Sequence, residues 1–279
     1  MQIVKYKWET NRMQNRLTPS LNLEPFLFAR DGNAVTKIKL FDERIGMTIG
    51  KKYCIGYSKN GRHFDCPKAR TVDNEKVCRE CALSDDFFLC MKCTGEECIN
   101  EDQRPSCIEN KYFIYLAAFN SMLKVGISYQ FRIMERLIEQ GADMGAKIGL
   151  VKDGKTAREI EQKIGRELNI IDRMSGIDKQ KMLFGNINVA AMNIFNAYNK
   201  LKSNGLSSYL INPEIYNLQG IYRLSEVKQM PSPFDLREGA RIEGDILAAK
   251  GNIVVIKNGS GLFSVNASKL LGCGIELLN

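Results

Sequence analysis

The sequence predicts an α+β protein in three parts: a small β-domain carrying a cysteine-rich stretch (residues 1–110), an α/β core (111–210) and a small β-barrel (211–279). Three observations predict this. Residues 1–53 alternate apolar and polar side chains with period two, and eight of the nine cysteines fall between Cys54 and Cys107. From Tyr112 a hairpin pattern gives way to helical periodicity, and short strands return after residue 234.

In the first part "QIVKYKW", "PFLFAR", "AVTKIKLF" and "GMTIGKKY" read as strands, with Asp31-Gly32 marking a tight hairpin between the second and third. The core opens with "YFIYLAAFNSMLKVGIS", in which Phe113–Phe119 and Met122–Ile127 form two strands across an Asn120-Ser121 turn. "QFRIMERLIEQ" places Phe131, Met134, Leu137 and Ile138 on one helical face, with Gly141 as its C-cap. "TAREIEQKIGREL" starts near Thr156 and aligns Ala157, Ile160, Ile164 and Leu168. "VAAMNIFNAYNKLKSNG" is a third helix, closed by Gly205. "MPSPF" (residues 230–234) reads as a linker. "ARIEGDILA", "NIVVIK" and "LFSVNA", with their Gly-containing turns, read as a barrel of OB or SH3-like size that buries Cys273 as an inert thiol.

At 44% hydrophobic and 26% charged residues the composition is that of a soluble globular protein. No apolar run approaches the ~20 residues of a membrane span. "MQIVKYKWET" lacks the apolar stretch of a signal peptide, so the expected location is the cytoplasm, with no membrane partner. The formal charge of +8 is uneven. Residues 1–53 carry ten Lys/Arg against five Asp/Glu, and residues 111–210 carry fifteen against nine. Both segments lean towards a polyanionic partner.

Cys54, Cys66, Cys78, Cys81, Cys90, Cys93, Cys98 and Cys107 include two C-x-x-C pairs, "CREC" and "CMKC". Two intervening residues let both thiolates reach one tetrahedral ion, and a reducing compartment favours metal over disulfides. Eight ligands divide into two closed structural zinc sites, with the grouping left open. One site with spare thiols and an iron–sulfur cluster are the alternatives. The stretch is polar and poor in core residues, so metal binding must supply its folding energy. His63, the only histidine, lies in a turn and is either a solvated loop residue or a substitute for one cysteine.

Within the core hairpin Tyr115, Lys124 and Gly126 stand where packing favours hydrophobes, and interior strand glycines mark a bulge or a close approach. On the next helix Arg132 and Arg136 share a face with Glu135 and Glu139, which also suits a solvated ion-pair face. Glu161 lies beside the apolar stripe of the helix after it, where a bare carboxylate is unfavourable.

"FIY", then "KVG", then a helix with arginine and a helix with glutamate resembles the GIY-YIG nuclease superfamily, in particular divergent members with Lys in the second motif. The longer string "KVGIS…ERLIEQGA…AREIE" behind a cysteine-rich stretch also resembles an uncharacterised zinc-cysteine family of unknown function. The GIY-YIG resemblance covers residues 112–205. It implies catalytic positions at Tyr115, Lys124, Arg136 (or Arg132, one turn earlier) and Glu161, with Glu161 holding one Mg2+ ion that stabilises the leaving oxygen of a phosphodiester. It implies nucleic-acid contacts at Lys124, Gly126, Ser128, Arg132 and Arg136. Two departures matter: Phe113 replaces the first glycine and Lys124 the second tyrosine. A lysine near its reference pKa of ~10.4 is a phosphate contact rather than a base. The expectation is a zinc-containing nucleic-acid-binding protein, DNA or RNA, that is catalytically weak or inactive. The alternatives are an active Mg2+-dependent nuclease and a protein-interaction module.

Overall fold

The computed structural model describes residues 1–10, 23–170, 175–203 and 206–278. The first elements are β1 (Gln2–Thr10), β2 (Leu23–Asp31), β3 (Ala34–Lys39), β4 (Arg44–Lys52), β5 (Tyr57–Lys59), β6 (Arg62–Phe64), α1 (Arg79–Ser84) and α2 (Arg104–Glu109). Next come β7 (Lys111–Phe119), β8 (Met122–Tyr129), α3 (Ile133–Gln140), β9 (Met144–Lys152), α4 (Gly154–Leu168), α5 (Gly176–Lys181), α6 (Ile187–Ser203) and β10 (Leu210–Asn217). The last are β11 (Ser232–Pro233), β12 (Arg241–Lys250), β13 (Ile253–Asn258), β14 (Gly261–Asn266), α7 (Ala267–Leu270) and β15 (Cys273–Leu277). They form two compact units, Met1–Asp85 with Gly220–Asn279, and Asp86–Gln219.

The first unit is built on a nine-stranded sheet in the order β11-β14-β13-β12-β4-β15-β1-β2-β3. The strands expected to close a separate C-terminal barrel instead pair with the N-terminal ones: β12 and β15 both run antiparallel to β4, and no closed barrel forms among the described residues. "MPSPF" is not a free linker either, because Ser232 and Pro233 pair in parallel with β14 and Phe234 packs on Phe263. Alternation explains the core. Leu23, Leu27 and Ala29 of β2 point inward, as do Ile45, Met47 and Ile49 of β4. Trp8 is fully buried between the rings of Phe41 and Tyr222 and donates its indole N–H to the Gly251 carbonyl at 2.8 Å. That bond satisfies the one polar atom such a side chain brings inside. The β2–β3 turn is Gly32-Asn33, one residue later than the sequence signal, since Asp31 pairs with Ala34. Cys273 is buried, as the sequence predicts.

The second unit has a four-stranded sheet in the order β10-β9-β7-β8. Asn120 and Ser121 form the two-residue turn between β7 and β8, with Asn120 at a φ of 50°. Ile114, Leu116, Ala118 and Val125 on one face pack against Ile160 and Ile164 of α4 and Ala190, Ile194 and Leu201 of α6. On the opposite face Leu137 of α3 lies against Gly145 of β9. Gly141 caps α3 in the left-handed conformation, as expected. Phe131 corrects the sequence reading: it precedes α3 in a 3-10 turn and is 77% exposed rather than part of the core face. Gly205, the expected close of α6, lies outside the described residues. Among those residues no helix is long and apolar enough to cross a membrane.

Candidate functional site

The cysteines separate in sequence order. Cys54, Cys66, Cys78 and Cys81 belong to the first unit, and their four sulfurs all lie within 4.8 Å of one another. Cys66 and Cys78 Sγ are 3.9 Å apart. A tetrahedral zinc ion with Zn–S of ~2.3 Å spaces its sulfurs roughly 3.8 Å apart, whereas a disulfide needs ~2.05 Å. The backbone N–H groups of Cys78 and Gly56 donate to Cys54 Sγ at 3.2 and 3.4 Å, the pattern that stabilises a thiolate ligand. Burial and the neighbouring sulfurs push the Cys81 thiol up. At Cys66 the opposing pull of burial is outweighed by the Arg70 and Lys68 backbone N–H groups, which bring its thiol down to about 7. Four crowded sulfurs cannot all ionise without a cation among them, and this donor set could bind one zinc ion. His63 lies on β6, exposed, with its ring beside Arg30 and Asp65 and outside the cluster.

Cys90, Cys93, Cys98 and Cys107 belong to the second unit and line one cavity of about 370 Å3. They are more loosely arranged. Cys90 Sγ accepts from Asn100 Nδ2 at 3.2 Å, and Cys107 Sγ lies 3.7 Å from Asp153 Oδ1. Burial pushes the Cys90 thiol up, and the charges of the other three sulfurs push it further in the same direction.

The opposite wall of that cavity is the end of the core hairpin. Tyr115 of β7 pairs across the ladder with Gly126 of β8, and the hydroxyl end of its ring lies against that glycine. A Cβ at Gly126 would fall 2.4 Å from the phenol carbon and oxygen. The hydroxyl thus reaches past the edge strand towards α3 and α4. Tyr115 is 1% exposed, and burial raises its pKa. The nearby Arg136 guanidinium acts the other way, while Glu161 and Arg158 are close enough for their charges to be felt. Glu161 is 7% exposed and ion-paired with Arg158 one turn before it on α4. Tyr115, Arg136 and Glu161 therefore converge, and Arg158 joins them.

The Lys124 ammonium donates to Gln140 Oε1 at 3.2 Å, and it does not line the cavity. Like Arg136, it is close enough to Lys179 of α5 for its charge to be felt. Burial, followed by the like charges of Lys124 and Arg136, brings Lys179 down to about 8. Ser128, Arg132 and Arg136 line the cavity, as do Lys155 and Arg158. Arg132 is ion-paired with Glu135 and Glu139 at 3.4 and 3.3 Å. Among the described residues the lining holds four cationic side chains and no carboxylate, and Arg136 has no carboxylate within ion-pair distance.

The residues that the sequence reading missed are those that join the cysteine segment to the core. Arg104 of α2 grips Asp153 through two bonds of 2.6 and 2.8 Å, and Asp153 also caps α4 by accepting from Lys155 N at 2.9 Å. The Arg104 bonds hold the Asp153 carboxyl below the usual carboxylate range. Arg158 carried a signal that could have been read, since it stands three residues before Glu161 at pairing distance on a helix. Arg104 and Asp153, 49 residues apart, carried none. No curated protein and no solved structure gives a significant match to the chain. A family model matches residues 43–273, most of the sequence, and the chain belongs to that family, described as "Protein of unknown function (DUF2797)".

Proposed function

We propose that the second unit binds nucleic acid by holding backbone phosphate in the cavity beside Arg136, on a GIY-YIG-like core that cleaves weakly or not at all. One observation carries this reading. The cavity lining gathers Arg132, Arg136, Lys155 and Arg158 and no carboxylate, and Arg136 has no carboxylate within ion-pair distance and is close enough to Lys179 for the like charges to repel. A phosphate would relieve that repulsion, and arginine's planar fork suits it. The order hairpin, helix, strand, helix agrees with the superfamily resemblance, and so does the convergence of Tyr115, Arg136 and Glu161.

Two features favour binding over hydrolysis. Glu161, the position for a catalytic Mg2+ ion, already has Arg158 as its counter-ion. Lys124, the position of the second tyrosine, turns to Gln140. We further propose two zinc ions per chain, the second held by Cys90, Cys93, Cys98 and Cys107, because these four share one wall and repeat the C-x-x-C spacing. Glu161→Gln tests the catalytic half of the proposal. Oligonucleotide binding should persist in the variant, and wild type should leave the oligonucleotide intact in Mg2+. Robust cleavage by wild type that is lost in Glu161→Gln at unchanged melting temperature would instead make this an active nuclease.

A further inference from the structure

Besides its four cations and the four cysteines proposed to hold zinc, the cavity is lined by large apolar side chains, which a phosphate alone does not explain. Tyr129 stands in its wall beside Arg132. The Tyr129 ring packs on Tyr112 at 4.8 Å on one side and stacks on Phe131 at 5.5 Å and 12° on the other. Phe131 sits at the outer end of this ladder, outside the lining itself but stacked on Tyr129, and is 77% exposed. Across the cavity, Phe87, Met91 and Ile99 line the wall and are 45%, 59% and 45% exposed. Large apolar side chains gathered at a cationic opening mark a binding surface rather than a solvated one.

Resting on the phosphate reading above, we propose that the ligand is single-stranded or unpaired nucleic acid. One unstacked base extends the Tyr112–Tyr129–Phe131 ladder by stacking on the exposed ring of Phe131 beside the cavity, and its phosphate lies on Arg136. In a duplex the base faces are covered by their neighbours. A protein that stacks a base on an aromatic ring therefore selects strands whose bases are already free or easily freed. The stacking chemistry does not depend on the sugar, so DNA and RNA strands are both admitted.

The test uses the full-length protein with oligonucleotides that carry 2-aminopurine, as DNA and RNA, single-stranded and annealed. The expected result is binding of single strands at least about tenfold tighter than duplex, with a change in 2-aminopurine fluorescence as the base stacks. Phe131→Ala, at an exposed position outside the core, should weaken single-strand binding about tenfold and abolish the fluorescence change, and Phe131→Trp should restore both. Equal affinity for single strands and duplex, with Phe131→Ala without effect and Arg136→Gln weakening both, would overturn the base-stacking proposal and leave the phosphate reading standing. Absence of any salt-dependent binding would overturn both.

Discussion

Tyr115 dictates what its neighbours can be. Its ring occupies the space that a side chain on Gly126 would need, so the glycine is required by close approach rather than by backbone conformation. Gly126→Ala should therefore destabilise the protein by roughly 1–3 kcal/mol, against the small gain that alanine normally brings to a strand, because the ring must leave its bed. Thermal melts check the size. A fluorescence or NMR probe of Tyr115 checks the cause, and an unchanged ring environment would contradict it. Of the candidate site, Tyr115, Gly126 and Glu161 were legible as residues that packing does not explain, whereas Arg136 was singled out only by the superfamily resemblance. Lys124 was legible as an oddity, but not as one that turns towards Gln140, because that contact depends on where the C-terminal end of α3 falls.

At the scale of elements, α4 positions most of the site, and Asp153 positions α4. Asp153 adopts a φ of 77°, a conformation that costs a non-glycine residue about 1–3 kcal/mol. Its carboxylate offsets this by capping the helix and holding Arg104 of α2. Asp153→Asn keeps a capping oxygen and the turn preference but loses the charged pair, and should cost roughly 1–3 kcal/mol at neutral pH. The folded pKa is depressed, so the pair's contribution is complete above the unfolded value of ~3.9 and is lost as pH falls through the folded value. The gap between wild type and variant in denaturant melts should accordingly close below about pH 4, and a gap that persists there would contradict the assignment. The hairpin, α4 and α6 were readable from periodicity, whereas β9 was not. "MGAKIGLVK" carries two glycines where Leu137 and the Tyr209 carbonyl press against the strand. The features that suit it to its neighbours are the ones that erase its strand signal.

At the scale of the molecule, the chain returns after residue 219 to complete the sheet begun by its first strands. Local patterning shows that strands are present but not which distant strand each one pairs with. That is why a C-terminal barrel was expected and a shared nine-stranded sheet was found. The unit boundary at Asp85–Asp86 falls between Cys81 and Cys90, and the four cysteines before it, Cys54, Cys66, Cys78 and Cys81, form one cluster. Metal analysis of purified protein should find about two zinc ions per chain and no iron–sulfur absorption. Cys66→Ser should lower the count by one and Cys93→Ser should remove the other, so a count unchanged in either variant would contradict the assignment. The central claim, that phosphate is held at Arg136, is tested most directly by the salt dependence of single-stranded oligonucleotide affinity in wild type, Arg136→Gln and the exposed Lys257→Ala control. The account predicts that Arg136→Gln weakens binding and makes the slope of log K against log salt shallower by about one, while Lys257→Ala leaves it unchanged. Identical slopes in wild type and Arg136→Gln would contradict it.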